Sequence, residues 1–123
     1  MPYSIQLADT THYLLVTATG SITDARELAD YAKTILDEMI RRNQIRLLLD
    51  ETRLETAFDA HDAVSLAETL DMLNVAGLGL RAAIVCAPEN SETTRALETA
   101  LRNRALSYRA FEVEHEAESW LLG

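Results

Sequence analysis

The chain has 123 residues and a mass of 13.7 kDa, 48% of them hydrophobic and 25% charged, the make-up of a single globular domain over residues 1–123. Eleven basic against 20 acidic residues leave a formal net charge of −9, so the mean surface field repels phosphate backbones and argues against nucleic acid as a partner. A single cysteine, Cys86, excludes an internal disulfide; no run approaches the roughly 20 apolar residues of a membrane span, and Met1 to Ala8 lack the basic patch and apolar core of a secretory signal. A cytoplasmic protein without membrane insertion is expected.

In chain order, Tyr3, Ile5 and Leu7 alternate with Ser4 and Gln6, as in a strand with one wetter face. Asp9-Thr10-Thr11-His12 supplies turn chemistry before an apolar, partly β-branched run from Tyr13 to Thr19, closed by Gly20, which predicts an antiparallel pair. The period then changes to 3.6. Ala25, Leu28, Ala29, Ala32, Ile35, Leu36, Met39 and Ile40 form one apolar stripe, with Thr23 or Asp24 as cap, Glu27 placed for a capping box, and Arg41, Arg42 and Asn43 suited to the end.

Ile45 to Asp50 and Ala82 to Ala87 are short continuous apolar runs, the pattern of parallel strands buried on both faces. Between them Ala63, Leu66, Ala67, Leu70 and Leu73 predict a second helix, capped by Asp59 or Asp62 and stopped by a left-handed Gly77. Pro88 ends the 82–87 strand. A third helix runs from Ser91 through Ala105, a last, edge-like strand covers Tyr108 to Val113, and Glu114 to Leu122 closes with Ala117, Trp120 and Leu121 on one side. Trp120 and the three methionines are expected in the core. The order β-β-α-β-α-β-α-β-α predicts an α/β layer domain on a mixed, mainly parallel five-stranded sheet.

The pattern resembles the SpoIIAA-like family, related to STAS domains and, more distantly in fold, to CRAL-TRIO lipid-binding domains. The resemblance rests on Gly20-Ser21-Ile22-Thr23, on Ile45 to Asp50, on Arg81 to Val85, and on Phe111 with Ala117 to Leu121, and it spans nearly the whole chain. Phosphorylated STAS regulators carry an Asp-Ser pair at the start of the helix after the central strand, where a phosphoryl group adds about −2 of charge at the docking face. The matching stretch here is Phe58-Asp59-Ala60-His61-Asp62. Ala60 stands where the serine would be, so the resemblance implies a domain without that switch.

Asp50, Glu51, Thr52, Arg53, Asp59, His61 and Asp62 are expected to gather at the carboxyl end of the central strand, where open α/β sheets place ligands. In the plainer view Asp50 and Glu51 solvate a loop, Arg53 pairs with one of them, and Asp59 or Asp62 caps a helix. A metal is not expected from Asp59, His61 and Asp62, because helix positions i, i+2 and i+3 do not converge. The turn Ala87 to Ser91 leads into the third helix with Glu89 and Glu92 where an anion would sit, and no glycine-rich phosphate loop is present. Cys86 suits a buried structural thiol. Arg95, Arg102, Arg104 and Arg109 form a basic stretch that is either solvated or a docking patch for an acidic partner, including a second copy of the chain.

Two roles fit these residues. A non-enzymatic, STAS-like recognition or regulatory module would present the Asp50–Asp62 region to a protein partner, with homodimerisation also open. Alternatively a small apolar ligand or lipid would be carried between sheet and helices, as the CRAL-TRIO relation implies, which calls for an enclosed apolar pocket above roughly 300 Å³. No catalytic residue and no cofactor are expected in either case.

Overall fold

Each switch of hydrophobic period becomes a switch of element. The computed structural model describes residues 3–123, in the order β1 (Tyr3–Asp9), β2 (Leu14–Ile22), α1 (Ala25–Arg41), β3 (Arg46–Thr56), α2 (Ala60–Met72), β4 (Arg81–Cys86), α3 (Ser91–Arg102), β5 (Ser107–Phe111) and α4 (Glu114–Leu122). Short 3-10 turns occupy Val75–Leu78 and Pro88–Asn90. The five strands lie in the order β1-β2-β3-β4-β5, with β1 antiparallel to β2 and every other pair parallel.

This topology decides where the helices go. A parallel connection needs a crossover, crossovers are right-handed, and these strands are added in one direction, so α1, α2 and α3 all fall on the same face. Their apolar sides meet Leu14, Val16, Leu47, Leu49 and Ile84 in one large core. The chain end is free of that constraint. α4 covers the opposite face, setting Ala117 and Leu121 against Leu48, Ala83 and Val85. β3 is therefore apolar on both sides, which is why Leu47-Leu48-Leu49 forms an unbroken run; each buried leucine contributes on the order of 1.5–3 kcal/mol.

Local chemistry sets the element ends. Thr10 Oγ1 donates to the Tyr13 carbonyl at 2.8 Å and accepts from the Tyr13 amide at 3.0 Å, closing the β1–β2 turn. At α1 the Asp24 side chain accepts from the Glu27 amide at 2.8 Å, while Glu27 reaches back to the Thr23 amide at 2.9 Å.

Several boundaries differ from the sequence expectation. β2 continues through Gly20, whose φ of 95° suits glycine, to Ile22. β3 extends to Thr56, because β2 goes on pairing with it beyond Asp50. The left-handed residue after α2 is Asn74, with Gly77 inside the following 3-10 turn. α3 ends at Arg102, and Ala105 takes a positive φ of 63° in the turn to β5, which itself stops at Phe111. Of the methionines, Met39 is buried but Met72 is 87% exposed at the helix end, and Met1 lies outside the described residues. Trp120 is half-buried, its ring carrying the Arg81 guanidinium at 4.2 Å.

Candidate functional site

β3 outruns β4. The two pair from Arg46 opposite Arg81 to Glu51 opposite Cys86, whereas β3 stays paired with β2 as far as Thr56. Along β2 the register shifts from Thr17 opposite Asp50 to Thr19 opposite Arg53, so Glu51 and Thr52 together face Ala18 in a β-bulge. Asp50 closes the bulge, its Oδ1 accepting from the Thr52 amide at 3.1 Å and from Thr52 Oγ1 at 2.7 Å. Alternation carries Leu47, Leu49 and Glu51 to the face under α1–α3. The extra residue then resets the phase, so that Leu54 rather than Arg53 turns inward next.

Beyond Glu51 the edge of β3 lacks a strand partner, and Asn90 takes that place. This buried side chain donates through Nδ2 to the Leu54 carbonyl at 2.6 Å and accepts through Oδ1 from the Thr56 amide at 3.4 Å. A carboxamide carries one donor and one acceptor side, as a peptide group does.

Glu51 is only 6% exposed. Tyr31 of α1 donates its hydroxyl to Glu51 Oε2 at 2.7 Å. Burial pushes the Glu51 carboxyl up to about 7; the Tyr31 hydrogen bond pulls it down, and the charge of Asp50 adds to the rise. Tyr31 is held in turn by the Tyr3 ring, edge-on at 5.3 Å and 74°, and the Tyr3 hydroxyl donates to Asp30. Burial raises the hydroxyls of Tyr31 and Tyr108 well above the usual phenol range, and burial likewise raises the Cys86 thiol.

Glu51 and Tyr31 form part of the wall of a cavity of about 120 Å³ between the sheet and α1–α3. The remainder of the wall is almost wholly apolar, including Ile35, Leu49, Leu66, Leu97 and Tyr108. Thr56 also lines it, and among the described residues its buried Oγ1 has no hydrogen-bond partner. The cavity runs beneath β3 from Leu47 to Thr56 and reaches the starts of β4 and β5 at Arg81, Ala82 and Tyr108.

The residues singled out from sequence divide between inside and outside. Asp50, Glu51, Thr52 and Arg53 belong to β3 rather than to a loop, and Glu51, expected to be solvated, is the buried one. Asp50 is half-buried and bonded to Thr52; Thr52 and Arg53 are exposed, and Arg53 makes no ion pair among the described residues. Asp59 and Asp62 form a reciprocal capping box at the start of α2, with amide-to-carboxylate distances of 2.9 and 3.0 Å. The Asp62 amide holds the Asp59 carboxyl below its ordinary value. His61 and Ala60 are exposed on the first turn. Arg104 joins α2 through Asp71 at 2.9 Å and Glu68 at 4.0 Å.

Tyr31, Thr56, Asn90 and Tyr108 escaped the sequence analysis. Tyr31 had a signal, lying three after Leu28 and four before Ile35 on the α1 stripe. Glu51 had one too: it follows Leu49 by two, so a strand continued by one residue turns it inward.

No protein-family model matches the chain, and no curated protein matches it. Among solved structures it is similar to an uncharacterised protein of the DUF3478 family with a SpoIIAA-like fold from Shewanella loihica PV-4. The two share 21% identity, with 98% of this chain and 94% of that chain covered and a TM-score of 0.56. Similarity at this level concerns architecture, not activity. The chain has the SpoIIAA-like fold that its sequence resembles.

Proposed function

We propose that the chain is a non-enzymatic binding module that takes up a small, mainly apolar molecule between its sheet and α1–α3. The observation that supports this is Glu51, a buried carboxyl set in the wall of a mainly apolar cavity. An apolar residue there would fill space without the cost of desolvating a carboxyl, and departures from good packing of this kind concentrate at functional sites. At about 120 Å³ the cavity falls short of the roughly 300 Å³ that the carrier role called for, and is nearer to the roughly 150 Å³ of a protein cavity that admits benzene. Its size favours one ring or a short alkyl chain over a lipid.

The test uses benzene and two-dimensional NMR. Shifts confined to Ile35, Leu49, Leu66, Tyr108 and their neighbours are expected, and Ala82→Leu, which adds bulk at the cavity wall, should reduce them. Unmoved resonances at saturating benzene would remove the proposal.

A protein-recognition role for the outer surface is favoured by one observation: Thr52 and Arg53 on the projecting part of β3 are exposed, as are Asp59 and His61 on α2, which follows β3 directly. Replacing Asp59 or Asp62 would loosen α2 itself, so Arg53→Ala and His61→Ala are the informative variants. Loss of a purified partner's binding in both, with unchanged circular dichroism, supports the role; unchanged binding contradicts it.

A further inference from the structure

We propose that the cavity's ligand is a small amine, its ammonium group bound to the Glu51 carboxylate and its apolar body, one ring or a short alkyl chain, lying among the side chains under α1–α3. This rests on the reading of the cavity as a binding site and adds the chemistry of the occupant.

Charge complementarity carries the choice. Among the described residues Glu51 is the only acidic side chain lining the cavity, and no cationic group lies beside it to neutralise it. Arg81 also lines the wall, and its Nε is buried without a hydrogen-bond partner among the described residues, but it stands at the start of β4, five residues before the Cys86 that lies opposite Glu51, and its guanidinium donates to the Trp120 carbonyl at 2.5 Å and stacks on the Trp120 ring. An anionic head group placed beside Glu51 would find no positive partner there and one negative one. An ammonium finds a carboxylate already stripped of water by folding, so binding adds only the ligand's own desolvation. The Tyr31 hydroxyl already satisfies one carboxylate oxygen, and the rings of Tyr31 and Tyr108 line the same space. The net charge of −9 favours approach of a cation over an anion.

The protonation state follows from the surroundings. Facing or adjoining Glu51 are Tyr31 from α1, Cys86 from β4, Tyr108 from β5 and Asp50 on its own strand. Burial raises the first three, so they stay protonated between pH 5.5 and 8 while Glu51, pushed up to about 7, ionises. A bound ammonium keeps Glu51 ionised, and binding near pH 6.5 therefore releases a proton.

The experiment is calorimetric titration of the full chain with 2-phenylethylamine, 2-phenylethanol and 3-phenylpropanoate, which share a ring and differ in the head group. Binding of the amine is expected to tighten roughly 10- to 30-fold from pH 5.5 to pH 8, to release a proton near pH 6.5, and to exceed binding of the other two by about tenfold or more. Glu51→Gln should remove the amine's advantage. Equal or tighter binding of the alcohol or the carboxylate overturns the amine assignment while leaving the cavity as a site. Failure of all three together with benzene removes the cavity reading instead. Should Glu51→Gln fail to fold, the pH profile and the proton count of the unaltered chain decide the matter.

Discussion

Asn90 Nδ2 meets the Leu54 carbonyl at 2.6 Å where β4 no longer pairs with β3, so a single side chain satisfies backbone that a strand would otherwise cover. Asn90→Ala leaves the Leu54 carbonyl and the Thr56 amide without that partner. A loss of about 1–3 kcal/mol is expected in urea unfolding, with Asn90→Asp, which keeps an acceptor but no donor, also destabilised. Unchanged stability in both would show that solvent, not Asn90, serves this edge.

Glu51 makes stability depend on pH in a definite direction. Its folded value, about 7, is raised above the ordinary 4.5, so its favourable contribution is complete below pH 4.5 and is lost as pH rises through 7. At about 1.4 kcal/mol per pH unit, that loss amounts to about 3 kcal/mol by pH 8.5. Glu51→Gln should therefore match the unaltered chain near pH 5 and be more stable by up to about 3 kcal/mol at pH 8.5. Urea midpoints at the two pH values check this, since every other titrating group is common to both proteins. A stability difference independent of pH would contradict it.

Tyr31→Phe removes the donor that supports the Glu51 carboxylate. Hydrogen bonds to a charged group are worth about 1.5–3 kcal/mol, so the variant should lose stability mainly above pH 7 and little at pH 5. The Glu51 titration, followed by carboxyl carbon NMR, should move to higher pH. Movement the other way would mean that Tyr31 does not favour the ionised form.

The α4 face forms its own cluster. Leu121 is fully buried there with Ala117, Leu48 and Val85, and Leu121→Ala is expected to cost about 2–5 kcal/mol. Amide hydrogen exchange should accelerate first in Glu114–Leu122, leaving α1–α3 protected. Uniform acceleration across the chain would show that the two clusters unfold as one.

Glu98 guards an edge. Its Oε2 accepts from the Ala110 amide of β5 at 2.7 Å, occupying a donor on an outer strand that another chain could pair with. Glu98→Ala should increase concentration-dependent light scattering. A variant as monodisperse as the unaltered chain would assign that contact no protective role.

Much of the architecture was legible because burial imposes periods: the α1 stripe, the two-sided Leu47-Leu48-Leu49 run and the α4 pair Ala117 and Leu121 all reflect which faces must leave water. Element ends were less legible. Gly77 is no more obvious a stop than Asn74, and the backbone choice between them depends on the path to β4.

The sequence by itself determined the order of strands and helices, the acidic surface and the lack of a serine at position 60. Only the tertiary structure decided that Glu51 faces inward, since the strand runs on past Asp50 and its alternation then makes an apparent loop acid part of a cavity wall. The reason is physical: period records which side of an element is buried, but the partners of a buried polar group come from elements far away in the chain, here Tyr31 for Glu51 and Asn90 for Leu54 and Thr56.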